Sequence, residues 1–167
     1  MISKKLKNPF GLLHSRFQKA AKRASRDLAR SNIKHVLIGG IAAGVYGRPR
    51  ATDDIDFLVH GEGCGKLVGP RLGGYVKRIT TQYENVPVDL LFSKKIPEAH
   101  ASIKGIPLIS PEELVLLKLK RSSRLDLNDI IWIIQGGNLS LDKLRRLAKQ
   151  YAVKKEDLEQ IIKEALL

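Results

Sequence analysis

The run Thr-Asp-Asp-Ile-Asp-Phe-Leu-Val, residues 52–59, restricts the possible folds of this chain more than any other segment. Its second half, Ile-Asp-Phe-Leu-Val, is apolar and β-branched enough to be a half or wholly buried strand. Carboxylates are costly there, because an unpaired charge that leaves water loses its hydration. Residues i and i+2 of a strand share a face, so Asp54 and Asp56 project together with Cα atoms roughly 7 Å apart. Ile55 and Phe57 then enter the opposite layer. Asp89 repeats the anomaly inside a second apolar run, Val-Pro-Val-Asp-Leu-Leu-Phe. If the two strands are neighbours, three acids converge. At an effective dielectric of about 20 and a separation of about 6 Å, each like-charge pair costs nearly 3 kcal/mol. A domain of ordinary stability must relieve that repulsion, by protonation or by divalent cations. A set of oxygen-only ligands suits Mg²⁺ or Mn²⁺.

The surroundings of this strand predict an α+β domain. Phe10 to Ser31 reads as a helix, with Leu13, Phe17, Ala20, Ala24 and Leu28 forming one apolar stripe. Lys-His-Val-Leu-Ile-Gly-Gly, residues 34–40, is a short strand ending at paired glycines, and residues 41–47 suit a helix. Residues 61–74 carry six glycines and read as loop. Residues 75–83 and 86–92 alternate as two strands with Glu84 and Asn85 at the turn, and residues 106–110 suit a last short strand. Ser110-Pro111-Glu112-Glu113 is a helix start, with Ser as N-cap and Pro at the first helical position. Three further helical stretches follow, the first stopping at Gly136-Gly137. Residues 1–109 are therefore expected to form a basic helix plus the core, and residues 110–167 a helical layer packed on it as one compact unit.

Composition narrows the partners. Thirty Lys and Arg against seventeen Asp and Glu leave a formal net charge of +13. Before residue 31, Lys4, Lys5, Lys7, Arg16, Lys19, Lys22, Arg23, Arg26 and Arg30 face only Asp27. Several of these recur at helical period about a quarter-turn or more from the apolar stripe. Such a field favours nucleic acid, nucleotides or an acidic partner. No apolar run approaches the roughly 18 residues of a membrane span, so no membrane partner is expected. The start lacks the apolar core and small-residue cleavage site of a signal peptide. A single cysteine, Cys64, fits a reducing cytoplasm.

Two phosphate-binding patterns fail on inspection. Gly-Glu-Gly-Cys-Gly-Lys-Leu, residues 61–67, has Leu67 where a P-loop needs Ser or Thr and His60 where it needs its first glycine. Ile-Gly-Gly-Ile-Ala-Ala-Gly has Ile38 at the first glycine of a dinucleotide fingerprint. His14, His35, His60 and His100 lack metal-ligand spacing. What remains is a pairing of features. Gly39 and Gly40 end a strand and open a helix, where bare backbone and free N–H groups accept an anion. Arg50 and Thr52 precede the acids and reach the same anion. Carboxylates beside an anion cradle describe a site for metal-bound triphosphate.

On these residues the chain resembles the nucleotidyltransferase superfamily with the DNA polymerase β-like fold. There a strand ending in Gly-Gly precedes an acidic-hydrophobic-acidic strand, and a third acid sits on a later one; here the match spans residues 36–92. More narrowly, Gly47, Arg50, Thr52, Asp54, Ile55 and Asp56 are similar to the Gly-x-x-Arg-x-Thr-x-Asp-Ile-Asp element of AbiEii-type nucleotidyltransferases of toxin–antitoxin systems. Those proteins also follow it with a helix like residues 110–130, with counterparts of Lys118, Asp126 and Asp129. The chain departs from them in its glycine-rich segment before Asp89 and in Arg124-Leu125-Asp126, which interrupts their usual Arg-x-Lys-Asp order.

The resemblance implies a small mixed sheet flanked by helices and the transfer of a nucleoside monophosphate from an NTP to a hydroxyl, with release of pyrophosphate. It assigns metal binding and catalysis to Asp54, Asp56 and Asp89, with Mg²⁺ or Mn²⁺ as cofactor and two ions roughly 4 Å apart. It assigns the triphosphate to Gly39, Gly40, Arg50, Thr52 and Lys118. The acceptor is expected to be RNA, with the tRNA 3′ end a candidate, or a protein, and an antitoxin is a candidate partner. The alternative is a nucleotide- or RNA-binding protein that keeps the fold without turnover.

Overall fold

The computed structural model describes residues 15–61 and 78–167. In chain order the elements are α1 (Ser15–Arg30), β1 (His35–Ile38), α2 (Gly39–Tyr46), β2 (Ile55–His60), β3 (Arg78–Tyr83), β4 (Val86–Ser93), β5 (Ala101–Ile103), β6 (Ile106–Leu108), α3 (Pro111–Arg121), α4 (Arg124–Gly136), α5 (Leu141–Ala148) and α6 (Lys155–Leu166). The six strands form one mixed sheet in the order β3-β4-β2-β1-β6-β5. The glycine-rich stretch, Cys64, the start of the first expected helix and the Lys4, Lys5 and Lys7 cations lie outside the described residues.

Sequence patterning explains the elements. β1 is buried along its whole length, as a four-residue apolar strand in mid-sheet must be. It runs antiparallel to β2 and parallel to β6, while β2 and β4 are parallel with Asp56 opposite Asp89. The two acid-bearing strands are therefore neighbours. The β3–β4 hairpin closes through Glu84 and Asn85, at φ 52° and 59°, the paired left-handed turn that matches strand twist. The β5–β6 hairpin closes the same way through Lys104 and Gly105, at φ 51° and 83°. Sequence reading misses β5, because Ala-Ser-Ile is too short and too polar to show a period.

The α3 start is formed as the sequence indicates. Ser110 Oγ accepts from the Glu113 amide at 3.2 Å and donates to Glu113 Oε2 at 2.8 Å, with Pro111 at the first helical position. Ser123 and Ser140 cap α4 and α5 in the same manner.

Two layers enclose the sheet. On one face α1 packs through Ala20, Ala21, Ala24, Ser25 and Leu28. Ser25 Oγ lies 2.8 Å from His35 Nε2, and His35 meets the Phe57 ring edge-on. By strand alternation this is the face of Leu37, Ile55, Phe57, Val88 and Leu90. The acids project from the other face. α2 packs against α3 and α4, and a Cβ at Gly47 would meet the Trp132–Ile133 backbone at 2.9 Å, so no larger residue fits this approach. One continuous cluster of buried apolar residues runs from Ala20 to Ala165. No helix among the described residues is long and apolar enough to cross a membrane.

Candidate active site

Asp56 stands on β2 with Asp89 directly across on β4, and Asp54 lies just ahead of the first residue of β2. Ligand oxygens of all three lie within 4.8 Å of one another. Asp89 is 1% exposed and Asp56 9%, while Asp54 is half-buried. Burial, then the Asp54 and Asp89 charges, push the Asp56 carboxyl up from 3.8 to about 6; Arg121 and Arg78 oppose the rise. Ile55 and Phe57, fully buried on the opposite face, anchor the strand that holds the acids in place.

Protein donors satisfy the three acids unequally. Asp89 accepts from Thr80 Oγ1 at 2.5 Å and pairs with Arg78, both on β3. Asp54 Oδ1 accepts from Thr52 Oγ1 at 3.1 Å. Asp56 forms no salt bridge among those described. It lies instead against Gly39, whose φ of +72° is left-handed and whose missing Cβ would come within 2.7 Å of Asp56 Cγ. A side chain at residue 39 would displace the Asp56 carboxylate. Gly40 leaves comparable room for Thr52 and Arg50, since its Cβ would sit 3.1 Å from Thr52 Oγ1 and 3.3 Å from Arg50 Nη2. Gly39, Gly40, Arg50, Thr52 and the three acids therefore gather at the N-terminus of α2, which has no side-chain cap.

Lys118 is placed otherwise. It is 5% exposed, and its Nζ donates to Asp126 Oδ1 at 3.0 Å and Asp129 Oδ2 at 2.9 Å. Asp129 also receives Arg50 through Nε and Nη2, at 2.9 and 3.0 Å. Asp126 receives Ser123 Oγ at 2.6 Å and lies 3.4 Å from Arg121 Nε. Burial raises the Asp126 carboxyl, yet the hydrogen bonds from Ser123 and Lys118 outweigh it and hold the group below its ordinary range. The Lys118 ammonium is enclosed, and its described hydrogen bonds go to Asp126 and Asp129. Arg121, one turn later and 64% exposed, is the α3 cation whose charge reaches Asp56.

Sequence reasoning missed Arg78, Thr80 and Arg121. For the first two a signal existed, since an antiparallel β3–β4 hairpin turning at Glu84-Asn85 sets Thr80 opposite Asp89. For Arg121 only helix phase relative to the sheet distinguishes it from Lys118.

Three carboxylate oxygens in one small volume form a hard, anionic donor set that fits Mg²⁺ or Mn²⁺ and not a soft metal. The fold has counterparts among solved structures. The antibiotic-resistance factor ANT(2'')-Ia superposes with a TM-score of 0.50 at 15% identity, covering 90% of this chain and 92% of that one. An antigenic nucleotidyltransferase-like protein from Paracoccidioides brasiliensis gives 0.45 at 17%, covering 87% and 93%. No protein-family model and no curated protein matches the chain.

Proposed function

We propose that the chain is a metal-dependent nucleotidyltransferase that moves a nucleoside monophosphate from an NTP to a hydroxyl of RNA. One observation carries this reading: three acids gathered on and just before paired strands, with oxygens within 4.8 Å, one of them against a glycine backbone that only a missing Cβ keeps open. A structural role does not require such mutual repulsion. The fold shared with ANT(2'')-Ia over 90% of the chain is compatible with it.

In this reading Asp54, Asp56 and Asp89 hold the divalent ion, which when bound neutralises the triphosphate and lowers the cost of charge developing at phosphorus. The Gly39-Gly40 backbone and the α2 N-terminus receive the phosphates. Arg50 keeps an N–H on each of Nη1 and Nη2 beyond its bonds to Ala51 and Asp129, and these point the triphosphate toward the acids. Arg121, not Lys118, is the α3 cation that completes the anion cradle; Lys118 acts through Asp129 to fix Arg50. The acceptor oxygen forms a bond to the α-phosphorus as the bond to the bridging oxygen of pyrophosphate breaks. In this reading Asp89 receives the acceptor proton.

The acceptor side is cationic. Arg78, 54% exposed, lies beside Asp89, and the net charge of +13 acts in the same sense. Both favour a phosphate-bearing acceptor, hence RNA over protein, with the tRNA 3′ end a candidate. The Gly47–Asp56 element supports placing the chain among AbiEii-type enzymes with an antitoxin partner. The single cysteine supports a cytoplasmic setting. Residues 110–167 work with residues 1–109 as one unit, since Asp129 and Lys118 hold Arg50.

The test presents purified protein and Mg²⁺ with each of the four NTPs labelled at the α-phosphate, against total RNA and total cell protein in parallel. Label is expected on RNA from one nucleotide, and Asp89→Asn should remove it. Label on neither acceptor from any nucleotide, with no Mn²⁺-induced rise in melting temperature, overturns the reading.

A further inference from the structure

The six described cations of α1 all stand on its outward side. At 100° per residue, Ala20, Ala21, Ala24, Ser25 and Leu28 define the buried stripe. Lys19, Lys22, Arg23, Arg26 and Arg30 centre on the opposite pole, with Arg16 at its margin, and all six are exposed. Lys34 extends the row past the helix end. Asp27, the only acid of α1, is half-buried and bonded to Tyr83. Two exposed partners, Glu84 on Arg23 and Glu98 on Lys34, offset the row weakly.

The location of this row matters as much as its charge. α1 covers the sheet face of Leu37, Phe57 and Leu90, and the acids project from the other face. A polyanion lying along α1 is therefore separated from Asp54, Asp56 and Asp89 by the sheet itself. We infer that the outward face of α1 is a second, non-catalytic docking surface for the phosphate backbone of structured RNA. It grips the body of an acceptor whose reacting end is presented on the opposite face.

Phosphate chemistry is favoured over other acidic partners by what the row lacks. The exposed large apolar residues among those described are Leu125, Leu166 and Leu167, none of them on α1. A membrane-surface helix needs an exposed apolar face, and a protein interface needs a buried apolar anchor. Phe17 packs inward on the core and no aromatic ring stands on the row, so bases have nothing to stack on. Cations spaced one turn apart, about 5.4 Å, contact backbone without reading sequence. The choice of RNA over DNA rests on the proposed acceptor.

The test measures binding of fluorescent, duplex-containing RNA by the full chain without NTP, at 50 and 200 mM salt. Wild type should bind, and if the row neutralises about five phosphates, affinity should fall by roughly 10²–10³ between those salts. Lys19→Glu/Lys22→Glu/Arg26→Glu should weaken binding at least ~10-fold and flatten the salt slope. Its circular dichroism and Mn²⁺-induced melting shift should stay those of wild type, and the corresponding Gln variant should fall between. Asp89→Asn should bind RNA like wild type. No RNA binding by wild type, unchanged affinity in the Glu variant, or equal loss in Asp89→Asn each overturns the surface. Label transfer to RNA that persists in the Glu variant with unchanged affinity defeats the surface and leaves the catalytic reading intact. RNA binding without any label transfer does the reverse.

Discussion

Among the described residues two groups of acids stand out, and their surroundings differ in kind. Asp126 and Asp129 are enclosed with Lys118 between them, Arg50 forked onto Asp129, and Ser123 and Arg121 on Asp126. Each carboxylate oxygen there has a protein donor, and Asp126 is held below its ordinary range. Asp54, Asp56 and Asp89 bring their oxygens within 4.8 Å of one another, yet only Asp89 has a cation in salt-bridge contact, and the Asp56 carboxyl is driven up to about 6. Similar residue types at similar burial are thus closed in one case and left open in the other. The closed group fixes Arg50; the open one is left with unequal protein partners.

Experiments that break this contrast run from large to small effect. Asp89→Asn should cut nucleotidyl transfer by roughly 10²–10⁴-fold, measured as initial rate of label incorporation. An unchanged rate would remove the open group from the chemistry. Lys118→Met should remove the cation that Asp126 and Asp129 share, leaving them Arg121 and Arg50, and lower stability by up to about 3 kcal/mol in urea unfolding. If the midpoint hardly moves, the closed network is not holding the α3–α4 pair. Divalent ion should stabilise wild type by ~2.7 kcal/mol at 100 times its dissociation constant. Asp54→Asn/Asp56→Asn should show no such gain in melting temperature.

Sign separates the two groups most sharply. In chelator, Asp56→Asn should raise stability by about 1–3 kcal/mol, because it removes repulsion; Asp129→Asn should lower it, because it removes a partner of two cations. The same sign for both would end the comparison. The smallest effect lies away from both groups, at His35, bonded to Ser25 and to the Ile33 carbonyl. Burial lowers its ring below the ordinary 6.5. The folded state therefore binds fewer protons than the unfolded chain. Its contribution is full above pH 6.5 and is lost as pH falls through the folded-state value. Urea midpoints at pH 7.5 and 5.5 should diverge less in His35→Gln than in wild type.

Much of the site was legible because local chemistry wrote it. An acid alternating with Ile and Phe in a strand is anomalous wherever it occurs, and paired glycines at a strand end announce backbone approach. Ser110-Pro111-Glu112-Glu113 specified a helix start through bonds that span only three residues. Lys118 shows where such reasoning stops. Its helix was identified, but a lysine and an arginine three residues apart differ only in the direction each faces, and that direction depends on how α3 lies against α4 and the sheet. Arg78 and Thr80 were within reach of the sequence, since a hairpin turning at Glu84-Asn85 already sets Thr80 opposite Asp89.

The sequence by itself determined most of the elements, the acids at the start of β2, the glycine opening and the excess of positive charge, since each depends on neighbours a few bonds away. Tertiary structure alone decided that β4 lies beside β2 with Asp89 opposite Asp56, and that Lys118 is enclosed while Arg121 is not. It also decided that the basic helix covers the face turned away from the acids. Those outcomes follow from strand order and helix docking, which burial of apolar surface selects across the whole chain and no short stretch encodes.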